Sequence, residues 1–280
     1  MSGWTVLTEE RFVLGEGLRW TGAGGGDVPA VVMVDIPSGR LLSLDPDRAG
    51  RPRTLARLDV PLGAVAPVAG GSGWVAAAGT GIALLSADGA LTWLDRPEDA
   101  AAGPMRMNDG VCDPAGRFWA GSMAVDAAPG AGSLYRVDPD GGVRRVLDGL
   151  GTPNGPAFSH DGTTMYLADS GRQIVDVFDV DPSTGDLGRR RRFAELDRGL
   201  PDGMIVDDEG HLWAAVWDAG QVHRYSPDGE RVLVLDVPAR RPTSVCLVAG
   251  HRLLVSSATE GLGEPGAQDG RVLAREVGVG

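Results

Sequence analysis

Short apolar runs recur along the chain and are separated by turns rich in glycine, aspartate and proline. Six of them begin at comparable points: VVMVD at Val31, WVAAA at Trp74, RFWAG at Arg117, TMYLAD at Thr164, HLWAAV at His211 and RLLVSS at Arg252. Successive runs are about 45 residues apart, a period typical of repeat architectures. Apolar runs of this length between turn signals are typical of buried β-strands. The pattern therefore predicts six copies of one all-β unit.

A period of this length predicts a six-bladed β-propeller, in which each repeat is a blade of four antiparallel strands. Turn sequences such as Asp140-Gly141-Gly142 fall where a four-stranded unit has to reverse. Long helical periodicity is nearly absent, and only residues 97–105 suggest a helical turn. Residues 4–13 predict an N-terminal strand that completes the last blade, closes the ring and removes an exposed edge. We expect residues 1–280 to form a single propeller domain; the alternative, a β-sandwich, seldom repeats its pattern six times.

Composition narrows the possible partners. The formal net charge is −12 and the isoelectric point is about 4.7, so phosphate would be repelled, and neither nucleic acid nor an anionic membrane is an expected partner. No apolar run approaches the roughly 18 residues of a membrane span, and the N-terminus has no signal-peptide pattern. We expect a cytoplasmic protein, a monomer or weak homo-oligomer, that acts on a small molecule. Cys112 and Cys246 fall on opposite blades, which excludes a disulfide between them.

Three motifs share one phase within the repeat: Asn108-Asp109-Gly110, Pro153-Asn154-Gly155 and Pro201-Asp202-Gly203. The first strand of each propeller blade lines the central channel, so aligned positions should meet there. The alignment brings one residue from each unit to the same level: Glu16, Ala64, Asn108, Asn154, Asp202 and Ser244. Glu16 and Asp202 would repel each other unless a cation lay between them, and Asn154 adds a neutral oxygen. The sequence thus predicts a site for a hard divalent ion on the axis.

Other interpretations of these motifs are weaker. Pro-Asn-Gly and Pro-Asp-Gly are also common turn tripeptides, and the metal hypothesis depends on their shared phase and on the matching Glu16. The segment from Gly261 to Gly266 has the spacing of a dinucleotide-binding loop, but it contains proline and precedes no helix. The chain lacks the GxSxG motif of a serine hydrolase elbow. No histidine or cysteine is expected at the axis, which argues against a thiolate or imidazole zinc site.

The chain resembles the family that contains gluconolactonase, regucalcin (senescence marker protein) and luciferin-regenerating enzyme. The matching segments span most of residues 12–260 and include LGEGLRW, RMNDGVCDPAGRFWAGSM, PNGPAFSHDGTTMYLADS and PDGMIVDDEGHLWAAVW. The resemblance implies a six-bladed propeller with one catalytic divalent metal ion. By motif position, the metal ligands are Glu16, Asn154 and Asp202.

The same resemblance implies substrate contacts from Arg106 and Asn108 and a further acidic residue at Asp126. Members of the family commonly hydrolyse sugar-acid lactones with calcium, zinc, magnesium, manganese or iron(II). The chain departs from the family pattern where Leu18-Arg19 replaces a usual proline and a glycine-rich insertion, Gly22 to Gly26, follows. We expect both departures to lie near the mouth of the channel and to affect substrate choice more than metal binding.

The resulting hypothesis is a metal-dependent lactonase. The ion polarises the lactone carbonyl, and a carboxylate, Asp202 or Asp126, takes a proton from the attacking water. Two alternatives remain open. The same site could act on another ester, a phosphotriester or a biosynthetic substrate, or the propeller could bind a divalent cation without catalysis. Arg106, Asn108 and Asp126 argue against the second, because a site that only binds metal does not need that additional layer.

Overall fold

The computed structural model describes residues 3–22, 30–70 and 73–278. Its first twelve strands are β1 (Thr5–Val6), β2 (Gly15–Trp20), β3 (Val31–Asp35), β4 (Arg40–Leu44), β5 (Arg53–Arg57), β6 (Leu62–Pro67), β7 (Gly73–Ala78), β8 (Gly81–Ser86), β9 (Leu91–Asp95), β10 (Met105–Cys112), β11 (Phe118–Ala124) and β12 (Gly132–Val137).

The second half of the chain continues in the same way. Its strands are β13 (Val143–Leu150), β14 (Pro153–Phe158), β15 (Thr164–Asp169), β16 (Ile174–Val180), β17 (Leu187–Glu195), β18 (Leu200–Val206), β19 (Leu212–Trp217), β20 (Gln221–Tyr225), β21 (Arg231–Asp236), β22 (Pro242–Val248), β23 (Arg252–Ser257) and β24 (Leu273–Glu276). In the described residues the helical structure is one 3₁₀ turn, Ser170–Arg172, and residues 97–100 form hydrogen-bonded turns. None of the described helical structure is long and apolar enough to cross a bilayer.

The strands form six antiparallel four-stranded sheets, and the predicted six-bladed propeller is confirmed. Blade one is β2 to β5, and the following blades begin at β6, β10, β14, β18 and β22. These first strands contact their neighbours in order, and β22 contacts β2, so the ring closes around them. Apolar clusters fill the space between adjacent blades, for example Ala64, Met107 and Phe118 between blades two and three. Cys112 and Cys246 are free thiols on β10 and β22.

The N-terminal segment closes the ring as predicted, but the strand is much shorter than residues 4–13. Only β1 pairs with β24, with Thr5 opposite Ala274 and Val6 opposite Leu273. The chain then has to cross from the outer edge of blade six to the axis, where β2 begins. On the way the Phe12 N–H donates to the Gly270 carbonyl at 2.6 Å, and the Phe12 ring is fully buried. This crossing leaves two residues to run beside β24.

A buried aspartate secures the turn between the first and second strands in blades three and five. In blade five, Asp207 Oδ2 accepts from Trp213 Nε1 at 2.8 Å and from Arg224 Nη2 at 2.7 Å. Its Oδ1 accepts the backbone N–H groups of Glu209 and His211. In blade three, Asp113 holds Arg117 and Trp119 in the same manner. The repeated tryptophans therefore belong to blade packing.

Removal of the Asp207 charge should destabilise the fold. In Asp207→Asn the new amide N–H group would face Trp213 and Arg224, both of which are donors, and Arg224 would lose its buried counter-charge. We expect the free energy of unfolding to fall by about 3–5 kcal/mol, as measured by urea denaturation. Glu209→Gln, which alters a partly exposed partner of Arg224, should cost less than about 1 kcal/mol. Equal losses in the two variants would contradict this role for Asp207.

Candidate metal centre and substrate cavity

A cavity of about 270 Å³ opens at one end of the central channel, where each first strand begins. Its lining residues are Leu14, Glu16, Arg106, Asn108, Met123, Ala127, Thr152, Asn154, Ser170, Gly171, Leu200, Asp202, Trp217 and Glu260. The loops between the second and third strands of blades three to six supply much of the rim. The structure therefore brings five of the six predicted site residues into one cavity: Glu16, Arg106, Asn108, Asn154 and Asp202.

The backbone of the first strands directs these side chains inward. The pairing of each first strand with its neighbour is interrupted by a register shift, which lies at Glu16, Asn154 and Pro201 in three of the blades. A β-bulge bends its strand and re-aims a side chain. Gly155, which follows Asn154, has a φ of 47°, and a Cβ there would lie 2.6 Å from the Met204 backbone nitrogen. The glycine in the repeated motif thus allows neighbouring first strands to approach closely.

Burial and mutual repulsion dominate the electrostatics of the two axial carboxylates. Glu16 and Asp202 are 4% and 5% exposed. Burial, followed by the charge of Asp109, raises the pKa of Glu16. Burial, followed by the charges of Glu16 and Asp109, raises the pKa of Asp202 well above its usual range. Two buried carboxylates that repel each other are costly unless a proton or a cation compensates their charge.

The donor set fits a divalent cation. Asp202 Oδ1 is buried and has no hydrogen-bond partner among the described residues. The side-chain amide oxygen of Asn154, Oδ1, accepts one hydrogen bond and retains a second lone pair. Carboxylate and amide oxygens are ligands for hard ions such as calcium, magnesium or manganese. Glu16, Asn154 and Asp202 could therefore hold such an ion together with water.

A chain of hydrogen bonds fixes the amide groups of the site. Arg106 Nη1 donates to Asn108 Oδ1 at 2.6 Å, and Asn108 Nδ2 donates to Asn154 Oδ1 at 2.6 Å. Asn154 Nδ2 then donates to Ser170 Oγ at 2.9 Å, and Ser170 donates to the Pro201 carbonyl at 2.6 Å. Because the arginine can only donate, every amide along the chain is oriented by the one before it. These hydrogen bonds therefore direct Asn154 Nδ2 towards Ser170 and Asn154 Oδ1 away from it.

Asp126 occupies a different position from the other predicted residues. It lies in the exposed turn after β11, and its Oδ1 accepts the backbone N–H of Ala128 at 3.1 Å. Its neighbours Met123 and Ala127 line the cavity, but Asp126 is not among the lining residues. Asp126 is thus at the rim, outside the buried group of carboxylates.

Leu18 and Arg19 do not lie near the mouth of the cavity, contrary to the expectation from the sequence. Glu16 and Arg19 lie towards opposite ends of β2, and Leu18 is fully buried. Arg19 Nη2 donates to Asp109 Oδ1 at 3.2 Å and to the Gly110 carbonyl at 2.8 Å. Arg19 thus neutralises a third axial carboxylate, Asp109, below the candidate metal site. Most of the glycine-rich insertion lies outside the described residues.

A second group of possible metal ligands lies at the opposite end of the channel. Ligand atoms of Asp207, Glu209 and His211 are within 4.8 Å of one another. Both oxygens of Asp207 are already used in the blade-five turn, and Arg224 pairs with Asp207 and Glu209. Because these carboxylates have a cation from the chain itself, we assign the group a structural role.

Several cavity residues were not predicted from the sequence, notably Ser170, Trp217 and Glu260. Each comes from the end of a second strand or the loop after it, where the six units differ in length and sequence. The repeat that reveals the axial residues therefore gives no signal for them. The segment from Gly261 to Gly266, which had the spacing of a nucleotide loop, begins next to Glu260.

A propeller with a buried group of carboxylate and amide oxygens at its axis belongs to the class of β-propellers with a central ligand cavity. Comparison with known families identifies the group within that class. Residues 14–259 match the model of the SMP-30/Gluconolactonase/LRE-like region. The chain belongs to this family, as its sequence motifs indicated.

Several relatives are similar over most of their length. Pentonolactonase XacC of Haloferax volcanii is 37% identical over 238 residues, which cover 83% of this chain and 76% of that protein. Regucalcin of Gallus gallus is 34% identical, covering 90% of this chain and 86% of that protein. The structure of a calcium-binding regucalcin from Agrobacterium tumefaciens superposes with a TM-score of 0.87 and 31% identity, covering 97% and 92% of the two chains. That of a luciferin-regenerating enzyme gives 0.84 and 28%, covering 96% and 93%.

Loss of Arg19 should destabilise the axis. Arg19→Leu leaves the buried Asp109 carboxylate without its counter-charge, so we expect the free energy of unfolding to fall by about 3–5 kcal/mol. Urea denaturation in metal-free buffer measures the change. Arg51→Leu is the matched control, because Arg51 pairs with Glu9 at the surface, where both side chains are largely exposed, and should cost less than about 1 kcal/mol. A loss in Arg19→Leu no larger than in the control would overturn this assignment.

Proposed function

We propose that the protein is a metal-dependent lactonase that opens a sugar-acid lactone. The observation that carries the proposal is the pair of buried carboxylates, Glu16 and Asp202, in a cavity that also contains Arg106 and Asn108; among the described residues, Asp202 Oδ1 has no hydrogen-bond partner. The similarity to a pentonolactonase over most of the chain supports a sugar-acid lactone as substrate. A small molecule also suits a cavity of about 270 Å³.

We propose Glu16, Asn154 and Asp202 as the metal ligands. A bound divalent ion would supply Lewis acidity at the lactone carbonyl. The candidate ions are calcium, zinc, magnesium, manganese and iron(II), and the all-oxygen donor set favours the harder ions among them. Asn108 and Ser170 hold Asn154 in the orientation that presents its oxygen.

Asp202 is our first choice as the group that takes a proton from the attacking water. It lines the cavity, and its Oδ1 has no hydrogen-bond partner among the described residues. Asp126 remains the alternative. Because Asp126 lies at the exposed rim, it is better placed to contact a distal part of the substrate than to take a proton from the attacking water.

Arg106 is suited to bind oxygen atoms of the substrate. Its side-chain hydrogen bonds within the described residues use Nη1 alone, to Asn108 and to the Met107 carbonyl. Nη2 and Nε remain for a ring or exocyclic oxygen of the lactone. The planar guanidinium presents these donors in a fixed geometry.

Chelation and metal replacement test the proposed function. The chelated protein should be inactive on a panel of pentono- and hexono-lactones in a pH-stat assay, and one or more divalent ions should restore turnover. Glu16→Gln and Asp202→Asn should lower kcat/KM by about 100-fold or more, since each removes a charged ligand or base. A bound ion should also raise the melting temperature of the wild type, and this increase should be smaller in both variants.

Glu209→Gln is the control for metal binding, because it alters the second acidic group and leaves the axis intact. It should retain the activity of the wild type and its increase in melting temperature with metal. If metal no longer raised the melting temperature of Glu209→Gln but still raised that of Asp202→Asn, the ion would be bound by the group of Asp207, Glu209 and His211 and not at the axis. Turnover of a phosphotriester or another ester alone would change the substrate class, and metal binding without any turnover would indicate a cation-binding propeller.

The role of Asp126 can be separated from that of Asp202. If Asp126 contacts only the distal part of the substrate, Asp126→Asn should raise KM up to about 10-fold and leave kcat within about threefold of the wild-type value. Steady-state kinetics on the best lactone of the panel measure both constants. A fall in kcat as large as that of Asp202→Asn would identify Asp126 as the base.

A further inference from the structure

We propose that Glu260 determines substrate specificity by accepting a hydrogen bond from a hydroxyl group on the substrate, opposite Arg106. The inference depends on the proposed function and extends it to the class of lactone. It predicts preference for neutral, hydroxylated lactones over analogues that lack this hydroxyl and over lactones that carry an additional carboxylate.

Glu260 and Arg106 line one cavity, and their charges interact there. Both residues line the cavity, yet no direct ion pair joins them within the described part of the chain. Burial lowers the pKa of Arg106, and the negative charge of Glu260, followed by those of Glu16 and Asp202, opposes this effect. A hydroxyl fits between two such groups, because it accepts from the guanidinium and donates to the carboxylate.

The backbone around Glu260 is firmly held. The Glu260 N–H donates to the Val13 carbonyl at 2.9 Å, and Arg241 donates to the Glu260 carbonyl. Arg241 also donates to Asp218 Oδ1 at 2.6 Å, and its guanidinium lies 4.7 Å from the centre of the Trp217 ring. Because Trp217 lines the cavity as well, Arg241 fixes two parts of the wall relative to each other.

Gly261 allows the backbone to turn directly after Glu260. Its φ is +65°, and a Cβ there would lie 2.5 Å from Arg241 Nη1. Arg240 holds the far side of the same loop through Asp269 and the Glu264 carbonyl. Gly261 therefore permits the turn after Glu260, and two arginines hold the loop that presents Glu260 at the cavity.

The rest of the wall suits a sugar derivative. The carboxylate of Glu260 has no hydrogen bond or ion pair with the described residues, so it is available to a ligand. Leu14, Met123, Leu200 and Trp217 provide an apolar surface for the C–H groups of a sugar ring. A carboxylate held beside this surface rejects a negatively charged tail by repulsion and rejects a deoxy analogue because no donor reaches it.

The test compares three lactones with the same ring: a neutral hydroxylated lactone, its deoxy analogue and one that ends in a carboxylate. In the metal-loaded wild type, kcat/KM for the neutral lactone should exceed that for each analogue by about 10- to 100-fold. Glu260→Gln should lose most of the discrimination against the acidic lactone, and Glu260→Ala should lose both preferences. Glu264→Gln, in the same exposed loop, is the matched control and should retain the wild-type pattern.

A binding measurement keeps this inference separate from the proposed function. Calorimetry with a neutral pentose and its deoxy analogue should show a preference of the wild type for the pentose, and Glu260→Ala should abolish it. Unchanged preferences in both Glu260 variants, in kinetics or in binding, would overturn the inference even if lactones are hydrolysed. If no lactone is hydrolysed but the binding preference depends on Glu260, the proposed function alone fails.

Discussion

The balance of charge at the axis is the constraint on which the rest of the site depends. Three buried carboxylates, those of Glu16, Asp109 and Asp202, lie in the channel, and each raises the energetic cost of the others. Arg19 forms an ion pair with Asp109, and the charge of Arg106 acts on Glu16 from a distance, but no basic side chain of the described residues forms an ion pair with Glu16 or Asp202. Burial and mutual repulsion therefore raise the pKa values of Glu16 and Asp202, because buried ions without a partner cost several kcal/mol each. The proposed divalent ion would offset this repulsion between the two carboxylates.

The same constraint acts on the backbone. Side chains from different blades can meet at the axis only if the first strands approach closely, and a bulge in each strand turns the relevant residue inward. Gly155 shows the consequence, since the neighbouring strand leaves no space for a side chain beside Asn154. The repeated pairing of an oxygen-bearing residue with glycine is thus one structural solution, repeated around the ring.

This repetition explains which features the sequence could predict. The blades, their first strands and the axial positions recur at a fixed phase, so an alignment of the chain with itself reveals them. The length of β1 depends on how far the chain has to travel from β24 to β2, which no periodic signal encodes. The predicted position of Arg19 was wrong because Glu16 and Arg19 lie towards opposite ends of β2 and therefore reach opposite ends of the channel. Ser170 and Glu260 come from loops that do not repeat, and their roles depend on contacts between blades.

The axial residues and the rim residues differ in how well they tolerate substitution. The axial residues sit on strands whose backbones closely approach those of the adjacent blades, so a change there disturbs the charge balance and the packing of neighbouring blades together. The rim residues come from loops between second and third strands, and Glu260 is held by one arginine and one backbone hydrogen bond. Substitution at the rim therefore alters which groups face the substrate without moving the axial oxygens. A propeller built on this plan can retain its axial oxygen atoms while the residues at the rim of its cavity change.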